Sequence, residues 1–317
     1  MRNRIMKKIF DKKNIILLKI NEADLNSFLI DTDLNDDGVH RYMLEEFAKE
    51  LINVVPEYVF AQYEDTEINS INAVEKIGEA ARSIYKIKEF DLMRKYYLEN
   101  DLEAKKALDN LPYKKRGEFG ELILHMLLRD FKGTIPLVSK VYFKDSSGVP
   151  AHGFDTVHIS PDEKILWLGE SKLYKKGKRG ISELINDLNE HFKKEYLNEQ
   201  FLIIKKNLEC NNIPQRDEWI ENLSNCNKLK DKLNMINIPM LCTYEDDIYS
   251  KFTDFNSEEA ISYHETNVRE LKNFFDNKKN NHPLKDSLNV ILLLFPIKDK
   301  TELLKLLHQK LWIMQNL

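Results

Sequence analysis

Two carboxylates and one ammonium in a short stretch of this chain have the types and spacing that hydrolysis of a phosphate ester needs. The stretch is Gly153-Phe-Asp-Thr-Val-His-Ile-Ser-Pro-Asp-Glu-Lys-Ile-Leu-Trp-Leu-Gly-Glu-Ser-Lys172. Residues 154–159 and 164–172 are β-type runs on either side of a polar Ser-Pro-Asp-Glu break, the pattern of a hairpin. A two-residue loop at Asp162-Glu163 pairs Pro161 with Lys164, and counting outward sets Asp155 opposite Glu170. Side chains alternate along strands, so Asp155, Val157 and Ile159 share a face with Leu166, Leu168, Glu170 and Lys172. That face is apolar until its open end, where the three charges converge. Desolvating them is costly, and a divalent cation is the simplest thing that offsets the cost.

Asp155 and Glu170 offer hard oxygen donors to Mg²⁺ or Mn²⁺. A metal held by few carboxylates keeps several waters, one of which can attack a phosphodiester. Lys172, two residues beyond Glu170, is placed to orient that water and to stabilise the developing phosphate charge. A carboxylate from a packed helix would complete the set. Glu121 is the first choice and Glu118 the second, one turn apart near the start of a helix predicted over residues 122–131. Lys172, Lys175, Lys176, Lys178 and Arg179 make five of the eight residues from 172 to 179 basic, with none acidic. Lys114, Lys115 and Arg116 precede the glutamate helix, so basic clusters flank the site as a phosphate backbone requires. Gly177 and Gly180 suggest a loop that follows a nucleic-acid strand closely.

Other residues carry plainer readings. His152 and His158 could serve as ligands, but His158 falls on the face opposite Asp155, which favours a packing or solvent role. His125, one turn beyond Glu121, reads as a satisfied helix-face histidine. Trp167 and Phe154 read as core on the hairpin's other face. Asp33, Asn35, Asp37 and Gly38 imitate a calcium loop, but Leu44 stands where the bidentate glutamate belongs, so an acidic loop capping the next helix is the better reading.

The elements that must position these residues follow from periodicity. Residues 13–30 read as one strand and a connection. Helices are predicted over 42–61, 71–85 and 91–108, giving a mostly helical N-terminal region, residues 1–110, that suits a partner-docking surface. From residue 111 to 317 the pattern is amphipathic helix, three strands (135–143 and the hairpin), amphipathic helix (181–197), helical and irregular sequence to about 234, strand (238–244), helix, strand (290–295) and closing helix (300–314), with a polar loop at 277–281. With 10 glycines and 9 prolines there is no obvious flexible linker.

Composition sets the remaining bounds. The chain has 317 residues, 42% hydrophobic and 32% charged, with a net charge of −4, so nucleic-acid binding would rest on local patches rather than overall basicity. Its longest apolar run, residues 290–297, is far short of the roughly 20 residues a membrane span needs. No signal-peptide core follows the basic N-terminus. Cys210, Cys226 and Cys242 are odd in number and far apart, which fits neither a disulfide framework nor a CxxC zinc site. A reducing, cytoplasmic setting is expected.

Glu121, Gly153-Phe-Asp155 and Trp167-Leu-Gly-Glu170-Ser-Lys172 resemble the acidic-helix, Asp and Glu-x-Lys pattern of the PD-(D/E)xK restriction-endonuclease-like nucleases. The order of elements from 115 to about 245 is similar to that superfamily's α-β-β-β-α-β core. Gly117-Glu-Phe-Gly-Glu121, His152-Gly-Phe-Asp155 and Gly169-Glu-Ser-Lys172 are more specifically similar to the HamA family, a likeness spanning most of residues 115–200. HamA proteins are nuclease subunits of the Hachiman anti-phage defence system, whose partner HamB is a superfamily 2 helicase. The resemblance implies an α/β fold with a mixed central sheet flanked by helices, and a Mg²⁺-dependent DNase working with a helicase. Asp155, Glu170 and Glu121 would be metal ligands and Lys172 the catalytic lysine. Phe154 replaces the proline that often precedes the motif aspartate. A different class is also open: a non-catalytic module that grips DNA and a helicase, in which the four charged residues form a structural ion cluster.

Overall fold

The structure is a computed structural model that describes residues 15–60, 71–84, 87–110, 118–139, 153–160, 163–210, 215–225 and 228–317. In chain order, the N-terminal elements are β1 (Ile16–Asn21), β2 (Leu25–Ile30), β3 (Thr32–Leu34), β4 (His40–Tyr42), α1 (Leu44–Asn53), α2 (Val55–Phe60), α3 (Ala73–Ile84), α4 (Ile87–Glu99) and α5 (Leu102–Asn110). They are followed by α6 (Glu118–Lys132), β5 (Ile135–Ser139), β6 (Thr156–Ser160), β7 (Ile165–Tyr174), α7 (Gly177–His191), α8 (Lys194–Cys210), α9 (Arg216–Asn225) and α10 (Leu229–Asn234). The last are β8 (Ile236–Glu245), α11 (Ile248–Lys251), α12 (Glu258–Lys279), β9 (Asn289–Ile297) and α13 (Lys300–Gln315).

Seven strands form one mixed sheet in the order β1-β2-β9-β8-β7-β6-β5. The strands β2, β9, β8 and β7 run parallel, with antiparallel pairs at both edges. Helices cover both faces, as strands apolar on both sides demand. Phe47, Tyr58, Leu122, Leu124 and Leu307 belong to the core on one face, and Leu184, Leu188, Ile204 and Val268 to the core on the other. The expected α/β class with a mixed, helix-flanked sheet is what forms. Each fully buried Leu, Ile or Phe in these layers contributes about 1.5–3 kcal/mol.

The hairpin register agrees with the two-residue loop. Thr156 faces Gly169 and Ser160 faces Ile165, and one step further out Asp155 comes level with Glu170. Val157, Ile159, Leu166 and Leu168 all enter the α7 side of the core, while Trp167 enters the α6 side. Phe154 departs from expectation: it precedes the strand, escapes the alternation, and packs on Phe192 and Tyr196 on the α7 side.

Several other expectations are corrected. The stretch read as a connection is the strand β2, buried throughout. Its polar residues disguised it, yet Asn26 finds Asn21 and main-chain carbonyls, and Ser27 finds His264. The strand joins the sheet beside β9, so residues on both sides of position 110 build one sheet and contribute to the cores on both of its faces. The acidic loop after β3 caps no helix. It is a hairpin turn in which the Asn35 carboxamide accepts from the Asp37 and Val39 N–H groups, with Gly38 at φ +74°. Helix α6 is buried on every side from Phe119 to Asp130 rather than amphipathic, because it lies between the sheet and α2. The helix expected over 91–108 breaks at Asn100, which takes φ +55°, and restarts under Asp101, whose carboxylate accepts from the Glu103 and Ala104 N–H groups. The helix expected over 181–197 ends at His191, and residues 277–279 of the expected polar loop are the last turn of α12.

Candidate active site

The site begins where β6 begins. Strand pairing starts only at Thr156, so the Ser171 N–H on β7 has no main-chain partner across the hairpin there. The Asp155 carboxylate takes that N–H at 2.8 Å and the Ser171 hydroxyl at 3.0 Å. Asp155 is thereby pinned at the hairpin's open end, 5% exposed. Across from it Glu170 is 2% exposed. Burial pushes its pKa up to about 8, with the charge of Asp155 adding to the rise. Lys172 follows on the same face. Burial works against its ammonium, but Asp155, Asp187 and Glu170 outweigh that and hold its pKa above the usual lysine value. The three motif residues therefore lie within electrostatic reach of one another, as the alternation required.

Helix α7 supplies two partners that the sequence reading missed. Asp187 forms an ion pair with Lys172. His191 brings Nδ1 to 2.6 Å from Glu170 Oε1. Burial raises the Asp187 pKa against the pull of Lys172. Burial disfavours the His191 imidazolium, but its bond to Glu170 and the neighbouring carboxylates raise its pKa all the same. A signal for both existed: positions 180, 184, 187 and 191 form one helical stripe, and its last two members are charged where the first two are apolar or small.

Glu121 comes from the first turn of α6, 4% exposed, and accepts a hydrogen bond of 2.8 Å from the Tyr58 hydroxyl of α2. Glu118 opens the same helix, half-buried. The Tyr58 phenol is held well above its ordinary pKa by burial and by the charges of Glu121, Asp155 and Glu118. The hydroxyl that Glu121 accepts from therefore also feels the charges of Asp155 and Glu118. Close contact between α6 and β7 allows this: a Cβ on Gly120 would lie 3.2 Å from the Ser171 hydroxyl.

The basic residues are placed less uniformly. Lys175 is exposed, 3.6 Å from Glu245. Lys178 reaches Glu270 at 2.5 Å, and Arg179 lies over the Tyr174 ring at 5.5 Å. Lys176 is the N-cap residue of α7. Lys114, Lys115, Arg116 and His152 lie outside the described residues. Gly177 and Gly180 do not make a strand-following loop. They are in the first turn of α7, where a Cβ on Gly180 would meet Cys242 Sγ at 2.6 Å, so they let the helix approach β8.

His125 and His158 are fully buried. His158 Nε2 lies 3.0 Å from His125 Nδ1, and His158 Nδ1 lies 2.7 Å from the Thr134 hydroxyl. Burial lowers the His125 pKa to about 3 and pushes His158 well down too. With both rings neutral, each contact has one donor and one acceptor, which is a packing role as expected.

Among the described residues, no group of three His, Cys, Asp or Glu side chains stands close enough to hold a metal ion as placed. The chemistry of the donors nevertheless suits a hard divalent cation. Asp155 raises the pKa of both Glu170 and Asp187, and Asp187 raises that of Glu170, and a cation among them would relieve that repulsion. No helix among the described residues is long and apolar enough to cross a membrane. A comparison with curated proteins finds no match. A family model described as HamA matches residues 4–311, nearly the full length, and the chain belongs to the HamA family.

Proposed function

We propose that this chain is a metal-dependent DNA nuclease, the effector of a bacterial anti-phage defence system of the Hachiman type, working in the cytoplasm with a superfamily 2 helicase subunit. The observation that carries this reading is the convergence of Asp155, Glu170 and Lys172 at the open end of one buried hairpin face, where Asp155 raises the pKa of both Glu170 and Lys172 and Glu170 also raises that of Lys172. Perturbed, mutually coupled groups of this kind are characteristic of sites built for chemistry.

Mg²⁺ or Mn²⁺ would be held by Asp155 and Glu170, with Glu121 the third carboxylate, and would supply an activated water and a Lewis acid at the phosphodiester. The chain's own groups do the rest. Lys172 places a compact positive charge where the phosphate becomes more negative. Ser171 fixes Asp155, and Tyr58 fixes Glu121. Lys175, Lys176, Lys178 and Arg179, with Lys114, Lys115 and Arg116 before α6, hold the strand by its phosphates without reading its bases.

A second reading also has an observation behind it: Lys172 and Glu170 already have partners in Asp187 and His191, as they would in a purely structural ion cluster of a binding module. One experiment separates the two. Plasmid and linear DNA are incubated with the full chain, alone and with its helicase partner, with Mg²⁺ or EDTA. Wild type is compared with Glu170→Ala/Lys172→Ala. The nuclease reading expects Mg²⁺-dependent cleavage that the double variant loses. Cleavage undiminished in the double variant sinks the site assignment. DNA bound equally by both proteins and cut by neither leaves the binding module.

A further inference from the structure

We propose that His191 is a positioning residue for Glu170, held in an aromatic clamp so that it presents the carboxylate in one orientation. This inference rests on the nuclease reading above and assigns the site a supporting residue outside the Asp, Glu-x-Lys and acidic-helix set.

The imidazole is fixed from several directions. Tyr196, in the first turn of α8, stacks on it with ring centroids 4.6 Å apart and planes 9° from parallel. Phe154 meets it edge-on at 5.9 Å, and itself packs against Tyr196 at 5.7 Å. The ring is held between the residue next to Asp155 in sequence and the helix that follows its own. These ring contacts fix the plane of the imidazole, and the 2.6 Å approach of Nδ1 to Glu170 Oε1 fixes which edge faces the carboxylate. The break between α7 and α8 is what makes the clamp possible. Had the helix run on unbroken to 197, Tyr196 would sit more than a turn beyond His191 on the same rod and could not stack face to face on it.

Glu170 needs such a support. It lies on a strand, where its side chain stands away from the sheet, and among its described contacts His191 is the hydrogen-bond partner. A carboxylate offering one oxygen to a cation and the other to a fixed donor loses less orientational freedom when the cation arrives. Partners of this kind behind a ligand change metal affinity or activity by about 10–100-fold when removed. The position of Asp187 one turn earlier, paired with Lys172, makes α7 the common backing for both residues of the Glu-x-Lys pair.

The test uses the full chain and three variants. His191→Ala removes the donor. His191→Asn keeps an amide nitrogen at the position of Nδ1. Tyr196→Phe keeps the stacking ring. Mn²⁺ binding is measured by calorimetry, and DNA cleavage with the helicase partner gives kcat and KM separately. The expected result is that His191→Ala weakens Mn²⁺ binding at least tenfold and lowers kcat by a similar factor with KM for DNA unchanged. His191→Asn should recover most of both, and Tyr196→Phe should stay near wild type. His191→Ala equal to wild type in Mn²⁺ affinity and kcat would overturn the proposal. So would His191→Asn as impaired as His191→Ala, which would reduce the ring to packing. Wild-type protein that neither binds Mn²⁺ nor cleaves DNA would overturn the nuclease reading together with this one, an outcome distinct from the other two. Should His191→Ala fold poorly in circular dichroism, the Asn variant and a Glu170→Asp variant, which shortens the same contact from the other side, carry the comparison.

Discussion

Two buried polar clusters lie on opposite faces of the same sheet, and they are built differently. On the α7 face, Asp155, Glu170 and Asp187 crowd one lysine and one histidine. Burial and the charge of Asp155 raise the pKa of both Glu170 and Asp187, and Glu170 reaches about 8. On the α6 face, Thr134, His158 and His125 form a run of neutral donors and acceptors, next to a Glu57–Arg129 ion pair at 2.8 Å. Burial there drives the histidines to give up charge rather than to share it. Both clusters contain histidine, and both are almost closed to solvent. What separates them is how many carboxylates are brought together. In the second, the histidines contact each other and Thr134 while Glu57 and Asp130 share Arg129; in the first, three carboxylates meet one lysine and one histidine. Burial of polar groups alone therefore does not mark a site; several carboxylates gathered around a lysine and a histidine are the stronger sign.

That contrast can be broken in several ways. The largest effect is expected from Glu170→Ala, which should lower the DNA cleavage rate by about 10²–10³-fold with an unchanged thermal midpoint within a few degrees. An equal loss from His158→Leu would erase the distinction. His158→Leu should act on stability instead, costing about 1–3 kcal/mol for each buried partner left without a bond, measured by urea unfolding, with the folded protein cutting DNA at the wild-type rate.

The pH dependence of stability sharpens the comparison further. Glu170 has a folded-state pKa of about 8 against an ordinary 4.5. The folded chain thus binds more protons than the unfolded chain between those values, and its stability falls as pH rises from about 5 to 8. His125, lowered to about 3 from 6.5, acts with opposite sign: stability rises as pH rises through that interval and is complete above about 6.5. Wild type minus Glu170→Gln should isolate the first slope as a loss of about 1–3 kcal/mol across pH 5–8, and saturating Mn²⁺ should flatten it in wild type. A difference curve without slope would mean that Glu170 is not crowded. The smallest expected effect is that of Arg179→Ala, which should lower the salt slope of DNA binding by about one without changing strand preference.

Much of the α7-face cluster was legible in the sequence. A two-residue turn and strict alternation were enough to set Asp155 against Glu170, because strand register leaves no freedom once the turn is fixed. Asp187 and His191 escape a reading of the sequence, because the apolar positions of helix α7 define its buried face and the charged end of the same stripe matches no motif. Strand β2 was hidden by Asn26 and Ser27, whose partners Asn21 and His264 are visible only after folding. The two glycines of α7 were misread for a related reason. Their tight neighbours, Leu271 and Cys242, are distant in sequence, and nothing local distinguishes a glycine that admits a nucleic acid from one that admits a sulfur.

The hydroxyl of Tyr58 on Glu121 and the pairing of β2 with β9 bear on how the chain can be cut. A fragment beginning at residue 111 would keep Asp155, Glu170 and Lys172 but lose the phenol that steadies Glu121. It would also bare the edge of β9, whose residues Val290 to Ile297 are all buried in the intact fold. Exposed apolar edges of that length recruit other strands. The expected product of such a truncation is an insoluble protein rather than an unregulated nuclease, so the N-terminal residues act as the sheet's own protective border.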